Sequence, residues 1–173
     1  MAVQQTPSRL GERLDLPPLF VEALAAALPR PMVFTNGVFD LLHAGHVDCL
    51  EQARVLGASL VVGVNSDASA RRLGKGPGRP LNKQADRLAV VQALAAVSAA
   101  VLFDEDAPLT LLRTLRPEVY VKGGDYRLDR LPEAPLMAGW GGRTVIVPLR
   151  AGLSTTALVE RAARAAGFAD ATA

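Results

Sequence analysis

The sequence predicts a single α/β domain with a parallel sheet of five strands and helices on both faces of that sheet. Short apolar runs alternate with helical patterns from residue 32 onward. The runs are continuously apolar rather than alternating in polarity, which is typical of strands covered on both faces. Because crossovers between parallel strands are right-handed, these units give a doubly wound, Rossmann-like architecture. The length of 173 residues suits one domain with a sizeable core.

The helices are predicted from the helical spacing of apolar side chains and from the residues that start and stop helices. They cover residues 19–28, 47–56 and 83–96, with one more starting after the acidic run 104–106 and a last one following Ser154. The strands are predicted from the apolar runs, at residues 32–35, 60–64, 100–103, 119–121 and 144–149. The segment before the last strand, residues 132–142, is expected to be irregular, with Trp140 in a packing role.

These elements divide the chain into three parts. Residues 1–30 are expected to form an N-terminal extension with one helix, residues 31–168 the domain itself, and residues 169–173 a disordered tail. In a doubly wound fold, ligands bind outside the carboxyl ends of the strands. Polar residues that follow a strand are therefore the candidates for a functional site.

Composition and charge exclude several classes of protein. The single cysteine, Cys49, excludes a disulfide scaffold, suits a reducing cytoplasm and is most simply a small buried residue. No apolar run approaches the ~20 residues of a membrane span, and no export signal is visible, so we expect a cytoplasmic protein with no membrane partner. Part of the positive charge lies in residues 71–87, which contain no aromatic side chain for stacking on bases. We therefore expect a small polyanion, and no nucleic acid, as the partner.

Both histidines of the chain lie where the first strand passes into a helix. Between His43 and His46 stands Gly45, which lets backbone and substrate approach closely. A helix N-terminus offers free N–H groups and a positive dipole end, so two imidazoles at that point are suited to binding phosphate. A zinc site would need three or four protein ligands, and no metal site is predicted. The structural alternative, in which one histidine merely caps the helix, explains one histidine better than two.

A segment rich in glycine and proline carries further cations. Three glycines and two prolines within residues 74–80 exclude a helix there and predict a mobile loop. We interpret this loop as a lid that closes over phosphates, with Lys75, Arg79 and Arg87 as the phosphate contacts. The alternative is a solvated basic loop, which suits any one of these side chains taken singly.

The ends of the last two strands carry the remaining candidates. The fourth strand leads into Lys122, which could reach an anion. Two glycines follow, which permit close approach of the backbone to a sugar or a flat ring, and then Asp125. A glycine turn with an exposed aspartate is an equally simple interpretation. After the fifth strand, Ser154, Thr155 and Thr156 come at a predicted helix N-terminus. Capping explains one of these hydroxyls, and phosphate binding explains the set.

The stretch Gly37-Val38-Phe39-Asp40-Leu41-Leu42-His43-Ala44-Gly45-His46 resembles the signature of the HxGH nucleotidyltransferase superfamily. Four further motifs occur in the order found in the adenylyltransferase part of bacterial ADP-heptose synthases, over about residues 34–159: Val64-Asn65-Ser66-Asp67-Ala68-Ser69, Arg79-Pro80-Leu81-Asn82, Val121-Lys122-Gly123-Gly124-Asp125-Tyr126 and Ser154-Thr155-Thr156. The resemblance implies that His43 and His46 are catalytic, and Lys75 of the basic loop is predicted as the third catalytic residue. It implies nucleotide contacts from Asn36, Gly37, Val38, Phe39, Asp40, Gly45, Asn65, Arg79, Arg87, Lys122, Gly124, Asp125, Ser154, Thr155 and Thr156.

The resemblance also implies a reaction and its partners. The reaction is transfer of AMP from ATP to D-glycero-β-D-manno-heptose 1-phosphate, which releases pyrophosphate and forms ADP-heptose for lipopolysaccharide core synthesis. Mg²⁺ is expected to be carried mainly by the triphosphate. A sugar-kinase domain precedes this part in many of those proteins, and thirty residues cannot encode one. We therefore expect the stand-alone form, with the sugar kinase on another chain, and a homo-oligomer, taken by resemblance to be a dimer.

Two other functions stay open at this point. Cytidylyltransferases of the superfamily carry an arginine-threonine pair before their own Ser-Thr-Thr, and Arg150 with Ala151 echoes it in part. A cytidylyltransferase acting on glycerol 3-phosphate or another polyol phosphate is therefore the alternative. The third possibility is a non-catalytic nucleotide sensor on the same fold, against which the two histidines and the cationic loop argue.

Overall fold

A five-stranded parallel sheet forms the centre of the computed structural model, which describes residues 18–74, 76, 78–150 and 152–167. The strands are β1 (Met32–Gly37), β2 (Ser59–Asn65), β3 (Ala99–Phe103), β4 (Val119–Gly123) and β5 (Arg143–Val147). Their order is β3-β2-β1-β4-β5, and every neighbouring pair is parallel. The chain moves outward from β1 to β3 and then crosses back to β4, so the strand order reverses beside β1. The predicted fold class is thus confirmed.

Helices cover both faces of this sheet. The helices of the described chain are α1 (Pro18–Ala27), α2 (Ala44–Arg54), α3 (Asp67–Arg72), α4 (Gln84–Gln92), α5 (Leu109–Leu115), α6 (Glu133–Ala138) and α7 (Thr155–Ala165). On one face, Leu50 of α2 and Val91 of α4 enter the core. On the other, Val21 of α1, Leu112 of α5 and Met137 of α6 do so. We call these the α2 face and the α5 face.

The strands are apolar at almost every position because both faces are covered. Adjacent residues of a strand point to opposite faces, so a strand in the middle of such a sheet needs apolar side chains throughout. All seven residues of β2 are buried. In β1, Val33 packs in the core of the α2 face, whereas Phe34 packs in the core of the α5 face against the ring of Tyr120 in β4. This alternation decides which side chains reach each side of the cleft described below.

Four elements differ from the sequence prediction. Residues 132–142 contain helix α6, which tolerates Pro135 because the first N–H groups of a helix have no intrahelical acceptor. Residues 67–72, for which no helix was predicted, form α3, and the hydroxyl of its N-cap Ser66 accepts a hydrogen bond from the Ser69 N–H at 3.0 Å. The third predicted helix ends at Gln92 rather than residue 96, and β5 ends at Val147 rather than residue 149.

Two other expectations concern the edges of the fold. Trp140 has the packing role expected of it: its ring lies against the core of the α5 face, and its Nε1 donates to the carbonyl of Pro117 at 3.0 Å. Most of the predicted N-terminal extension and the tail, residues 1–17 and 169–173, fall outside the described residues. None of the helices in the described ranges is both long and apolar enough to cross a bilayer.

Candidate active site

A cleft of about 580 Å³ opens at the carboxyl edge of the sheet, beside β1, where the strand order reverses. Ligands of doubly wound sheets bind at this position, and the volume lies in the range of small-molecule sites. The cleft brings together predicted site residues that are as much as 120 positions apart in the chain. Those that line it are Asn36, Gly37, Val38, Phe39, Asp40, His43, Gly45, His46, Asn65, Arg79, Lys122, Ser154, Thr155 and Thr156.

The two histidine rings stack on each other in this cleft. Their centroids are 3.8 Å apart and their planes differ by 24°. His43 is the N-cap residue of α2, but its side chain makes no capping hydrogen bond, so capping does not account for it. Burial, and to a smaller extent the positive charge of Arg161, lower the pKa of His43 below the ordinary histidine range. Its Nδ1 is buried without a hydrogen-bond partner among the described residues, so no protein hydrogen bond accounts for this nitrogen.

Small and aromatic residues hold the two rings at this spacing. A Cβ on Gly45 would lie 3.1 Å from Nδ1 of His43 and 3.3 Å from Cβ of Leu153, so a larger residue would crowd the ring. On the other side, the Phe39 ring lies 5.5 Å from the ring of His46. Phe39 has a φ of 52°, a conformation that costs a residue with a side chain on the order of 1 kcal/mol. The turn before the histidines is therefore fixed by its packing.

Asp40 binds the basic loop instead of standing free in the cleft. Its Oδ2 accepts a hydrogen bond from Nη1 of Arg79 at 2.6 Å. Its Oδ1 accepts from the backbone N–H groups of Leu81 at 2.7 Å and Asn82 at 2.9 Å. Protein donors occupy both oxygens of Asp40, which lines the cleft, and its contact with the nucleotide stays a prediction. The effect of Asp40 is to hold the guanidinium of Arg79 at the wall of the cleft.

Arg87 is a structural residue rather than a phosphate contact. Its side chain has no exposed surface, because α4 carries it beneath the turn that precedes the histidines. All three of its donor groups serve the protein: Nη1 donates to the carbonyl of Val38, Nε to the carbonyl of Asn82 at 3.0 Å, and Nη2 to Asp67 at 2.8 Å. The predicted phosphate contact is therefore corrected, because the guanidinium is fully buried, donates to the protein from each of its three nitrogens and does not line the cleft.

The predicted lid is only partly described. Lys75, the third catalytic candidate, lies outside the described residues. Just before the loop, Nε of Arg72 donates to Asp106 at 2.7 Å and the same guanidinium donates to the carbonyl of Asp104, which ties the end of α3 to the segment after β3. Asp106 itself lines the cleft. The lid role of residues 74–80 stays a prediction.

The tip of β4 differs from the expectation in which residues face the cleft. Gly123 and Tyr126 line it, whereas Gly124 and Asp125 do not. A Cβ on Gly123 would lie 2.8 Å from Sγ of Cys49 and 2.8 Å from Cδ2 of Leu149, so a larger residue here would have to displace both side chains. Gly124 has a φ of 122° and turns the chain away, which leaves Asp125 exposed to solvent.

Two of the three hydroxyls at the start of α7 make hydrogen bonds within the protein. Ser154 caps the helix, since its Oγ accepts a hydrogen bond from the Ala157 N–H at 3.1 Å. Thr155 donates to the carbonyl of Leu41 at 3.3 Å, which ties α7 to the histidine turn. All three hydroxyl residues line the cleft. The helix start therefore lies beside the imidazoles, where its N–H groups can meet an anion.

Sequence reasoning missed part of the cleft wall. The residues in question are mostly apolar positions, which carry no signal that separates core from cleft. Cys49, expected to be simply buried, is partly exposed to the cleft, and burial raises the pKa of its thiol. The other missed residues are Thr35, Leu50, Ala70, Leu73, Pro80, Asp106, Gly123, Tyr126, Leu149 and Leu153.

Known proteins are similar to this chain in sequence and in fold. A family model described as cytidylyltransferase-like matches residues 34–161, which is most of the chain. A D-beta-D-heptose 1-phosphate adenylyltransferase from Bordetella bronchiseptica is 58% identical over 160 residues, covering 92% of this chain and 96% of the relative. A bifunctional protein HldE from Streptomyces coelicolor is also 58% identical, but its match covers 90% of this chain and only 37% of that protein.

Solved structures agree on the fold. A lipopolysaccharide core biosynthesis protein from Thermoplasma volcanium superposes with a TM-score of 0.58 at 31% identity, covering 69% of this chain and 95% of the other. A pantothenate synthetase from Thermus thermophilus superposes with a TM-score of 0.52 at 21% identity, covering 86% of this chain and 74% of the other, which supports the fold alone.

Proposed function

This chain belongs to the cytidylyltransferase-like family of nucleotidyltransferases, and from that membership we propose that it transfers AMP from ATP to D-glycero-β-D-manno-heptose 1-phosphate. The products are ADP-heptose, for lipopolysaccharide core synthesis, and pyrophosphate. The observation that carries the proposal is the stacked pair of imidazoles at the start of α2, inside a cleft that can hold a nucleotide. The choice of sugar phosphate is supported by 58% identity to the Bordetella bronchiseptica enzyme over nearly its whole length.

The bond changes of this reaction need alignment and charge stabilisation more than proton transfer. A phosphate oxygen of the sugar phosphate attacks the α-phosphorus of ATP, a new P–O bond forms, and the bond to the oxygen bridging the α- and β-phosphates breaks. Pyrophosphate leaves with the electron pair of that bond. The attacking oxygen is already ionised at neutral pH, so no side chain has to act as a base.

The residues of the cleft supply donors for this transfer. His43 and His46 donate to the α-phosphate oxygens or to the departing pyrophosphate, where charge builds in the transition state. Arg79, held by Asp40, and the start of α7 bind the β- and γ-phosphates. Mg²⁺ enters with the triphosphate as part of the substrate. ATP and the lone thiol of Cys49 both suit the cytoplasm, where we place the reaction.

A pyrophosphate-release assay tests the proposal. The purified chain is offered ATP or CTP, each with heptose 1-phosphate or glycerol 3-phosphate. We expect turnover with ATP and heptose 1-phosphate at a kcat/KM at least ~100-fold above the other pairs, since a mismatched polar group in a site typically costs that much or more. Preference for CTP and glycerol 3-phosphate would instead identify a cytidylyltransferase. Nucleotide binding without turnover on any acceptor would identify a sensor.

The assembly and the pathway partner are part of the same proposal. The HldE relative is named bifunctional and is much longer than this chain, which supports a second activity working alongside this one. We assign that activity to a sugar kinase that supplies the heptose 1-phosphate. The proposed homodimer is tested by light scattering of the purified chain during gel filtration.

A further inference from the structure

The cleft is lined from both faces of the sheet. The histidines come from the start of α2 and lie on the α2 face. Tyr120 of β4 packs in the core of the α5 face, and Lys122, two residues further along the strand, points to the same side. Oδ1 of Asn36, at the end of β1, accepts a hydrogen bond from Nζ of Lys122 and lies 2.8 Å from the Tyr120 hydroxyl. Lys122 and Asn36 therefore meet the cleft from the side opposite the imidazoles.

A buried carboxylate lies beneath this pair. Glu133, the first residue of α6, is 3% exposed and faces the fully buried Tyr120. Its Oε1 accepts a hydrogen bond from the Tyr120 hydroxyl at 3.1 Å and lies 4.0 Å from Nζ of Lys122. Within the described part of the chain, its Oε2 has no hydrogen-bond partner. A buried carboxylate with an unpaired oxygen is costly, so packing alone gives no reason for an acid at this position.

The geometry of the cluster explains what the acid does. Nζ of Lys122 lies 3.1 Å from Oδ1 of Asn36 and 3.1 Å from the Tyr120 hydroxyl. Burial raises the pKa of Tyr120, as does the charge of Glu133, so the phenol keeps its proton and can donate it. The negative charge of Glu133 draws the ammonium toward the floor of the cleft. Because Oδ1 of Asn36 already accepts from the cluster, the NH₂ group of this amide is the part that can donate to a ligand.

The reaction itself places its second substrate on this side. In nucleotidyl transfer the attacking and leaving oxygens lie roughly in line through the phosphorus. In the proposed function, the imidazoles and the start of α7 hold the side from which pyrophosphate leaves. The acceptor phosphate must then approach from the opposite side. Among the described residues that line the cleft, Lys122 is the fixed cation on the α5 face.

Resting on the proposed function, we infer that Lys122 and Asn36 bind the phosphate of the acceptor and that Glu133 is the residue that positions them. The ligand class is a sugar or polyol phosphomonoester. Lys122 touches this substrate, whereas Glu133 acts through Lys122 and the Tyr120 hydroxyl.

Steady-state kinetics of Glu133→Gln test the positioning role. Glutamine keeps the shape and an acceptor for Tyr120 but removes the charge. We expect the KM for the acceptor to rise ~10-fold, the order for one hydrogen bond to a charged group, while the KM for ATP stays within about twofold. Glu22→Gln, which removes one negative charge from the exposed face of α1, is the matched control and should change neither value. An unchanged acceptor KM in Glu133→Gln, or an equal rise in both KM values, overturns the inference.

A double-mutant cycle separates positioning from a general structural effect. Lys122→Met should raise the acceptor KM at least as much as Glu133→Gln. If Glu133 acts through Lys122, the double variant should be no worse than Lys122→Met, because the two residues form one unit. Multiplied effects in the double variant would overturn the inference.

Two features keep the test independent of folding and of the sugar. If Glu133→Gln does not fold, the test uses the pair Lys122→Met and Lys122→Arg. We expect Lys122→Met to lose acceptor binding and Lys122→Arg to recover it. Unchanged acceptor binding in Lys122→Met overturns the inference. The acceptor used is whichever phosphomonoester the wild type turns over, so a wrong sugar refutes the proposed function and leaves this comparison intact. Calorimetry of that phosphomonoester without nucleotide gives the same answer without turnover.

Discussion

The contact between Asp40 and the basic loop predicts an asymmetric pair of substitutions. Asp40→Ala removes the acceptor of three hydrogen bonds, those from Nη1 of Arg79 and from the N–H groups of Leu81 and Asn82. Arg79→Met removes one of the three and leaves the carboxylate with two backbone donors. At about 1.5 kcal/mol for each hydrogen bond to a charged group, Asp40→Ala should lower the free energy of unfolding by about 4.5 kcal/mol and Arg79→Met by about 1.5 kcal/mol.

Urea unfolding at low temperature, followed by circular dichroism, measures both differences. The pair Arg127 and Asp129 is a matched control, because its side chains are 70% and 61% exposed, and Arg127→Met should produce no measurable change. Equal losses in the Asp40 and Arg79 variants, or a larger loss for Arg79→Met, would refute the reasoning. Such a result would mean that the ion pair with Arg79 fixes the loop, and that the hydrogen bonds from the two backbone N–H groups contribute little.

Three further predictions concern the histidines. His43→Asn and His46→Asn should each lower kcat by ~100-fold or more in the pyrophosphate assay, as expected for a lost donor to the transition state, and near-normal turnover in both would contradict the assigned role. In Gly45→Ala the new Cβ would displace the His43 ring by a few tenths of an ångström. This misplacement should lower kcat by at least ~10-fold, while the melting temperature stays within a few degrees because the displacement is small. Full activity would show that the ring spacing is unimportant. Burial lowers the pKa of His43 in the folded chain below the ordinary histidine pKa. The stabilisation from the neutral ring is therefore present above the ordinary histidine pKa and is lost as the pH falls through the folded pKa. We expect the urea midpoints at pH 7.5 and pH 5.5 to differ less in His43→Asn than in the wild type.

Periodicity and strand ends were sufficient to predict the sheet and the location of the cleft. Continuous apolar runs can be satisfied only by strands covered on both faces, and the carboxyl ends of parallel strands meet at one edge. This is why His43, Lys122 and Thr156, far apart in the chain, could be assigned to one site before their positions were known. Stacking of the histidine rings was not predicted, although the glycine between them leaves room for the His43 ring.

The partners of charged side chains could not be predicted in the same way. Arg79 and Arg87 lie in the same basic stretch, yet one lines the cleft and the other is fully buried. What separates them is contact with residues 39 and 49 positions away, at Asp40 and Val38, and local sequence carries no record of such contacts. Glu133 was missed for a related reason: its segment contains two nearby prolines, which conceal a short helix whose first residue faces inward.

The left-handed backbone at Phe39 limits which exchanges this turn can accept. Its ring rests against His46 and also fills the space above Gly37, where an added Cβ would come within 3.1 Å of it. A glycine at position 39 would relax the backbone but leave a hole beside the imidazole, and a β-branched residue would fill the hole but resist the φ angle. The backbone conformation at position 39 thus favours glycine, whereas packing against the His46 ring requires a large side chain. Directed evolution of specificity for a new acceptor substrate therefore has more freedom along the α5 face than in the turn that precedes the histidines.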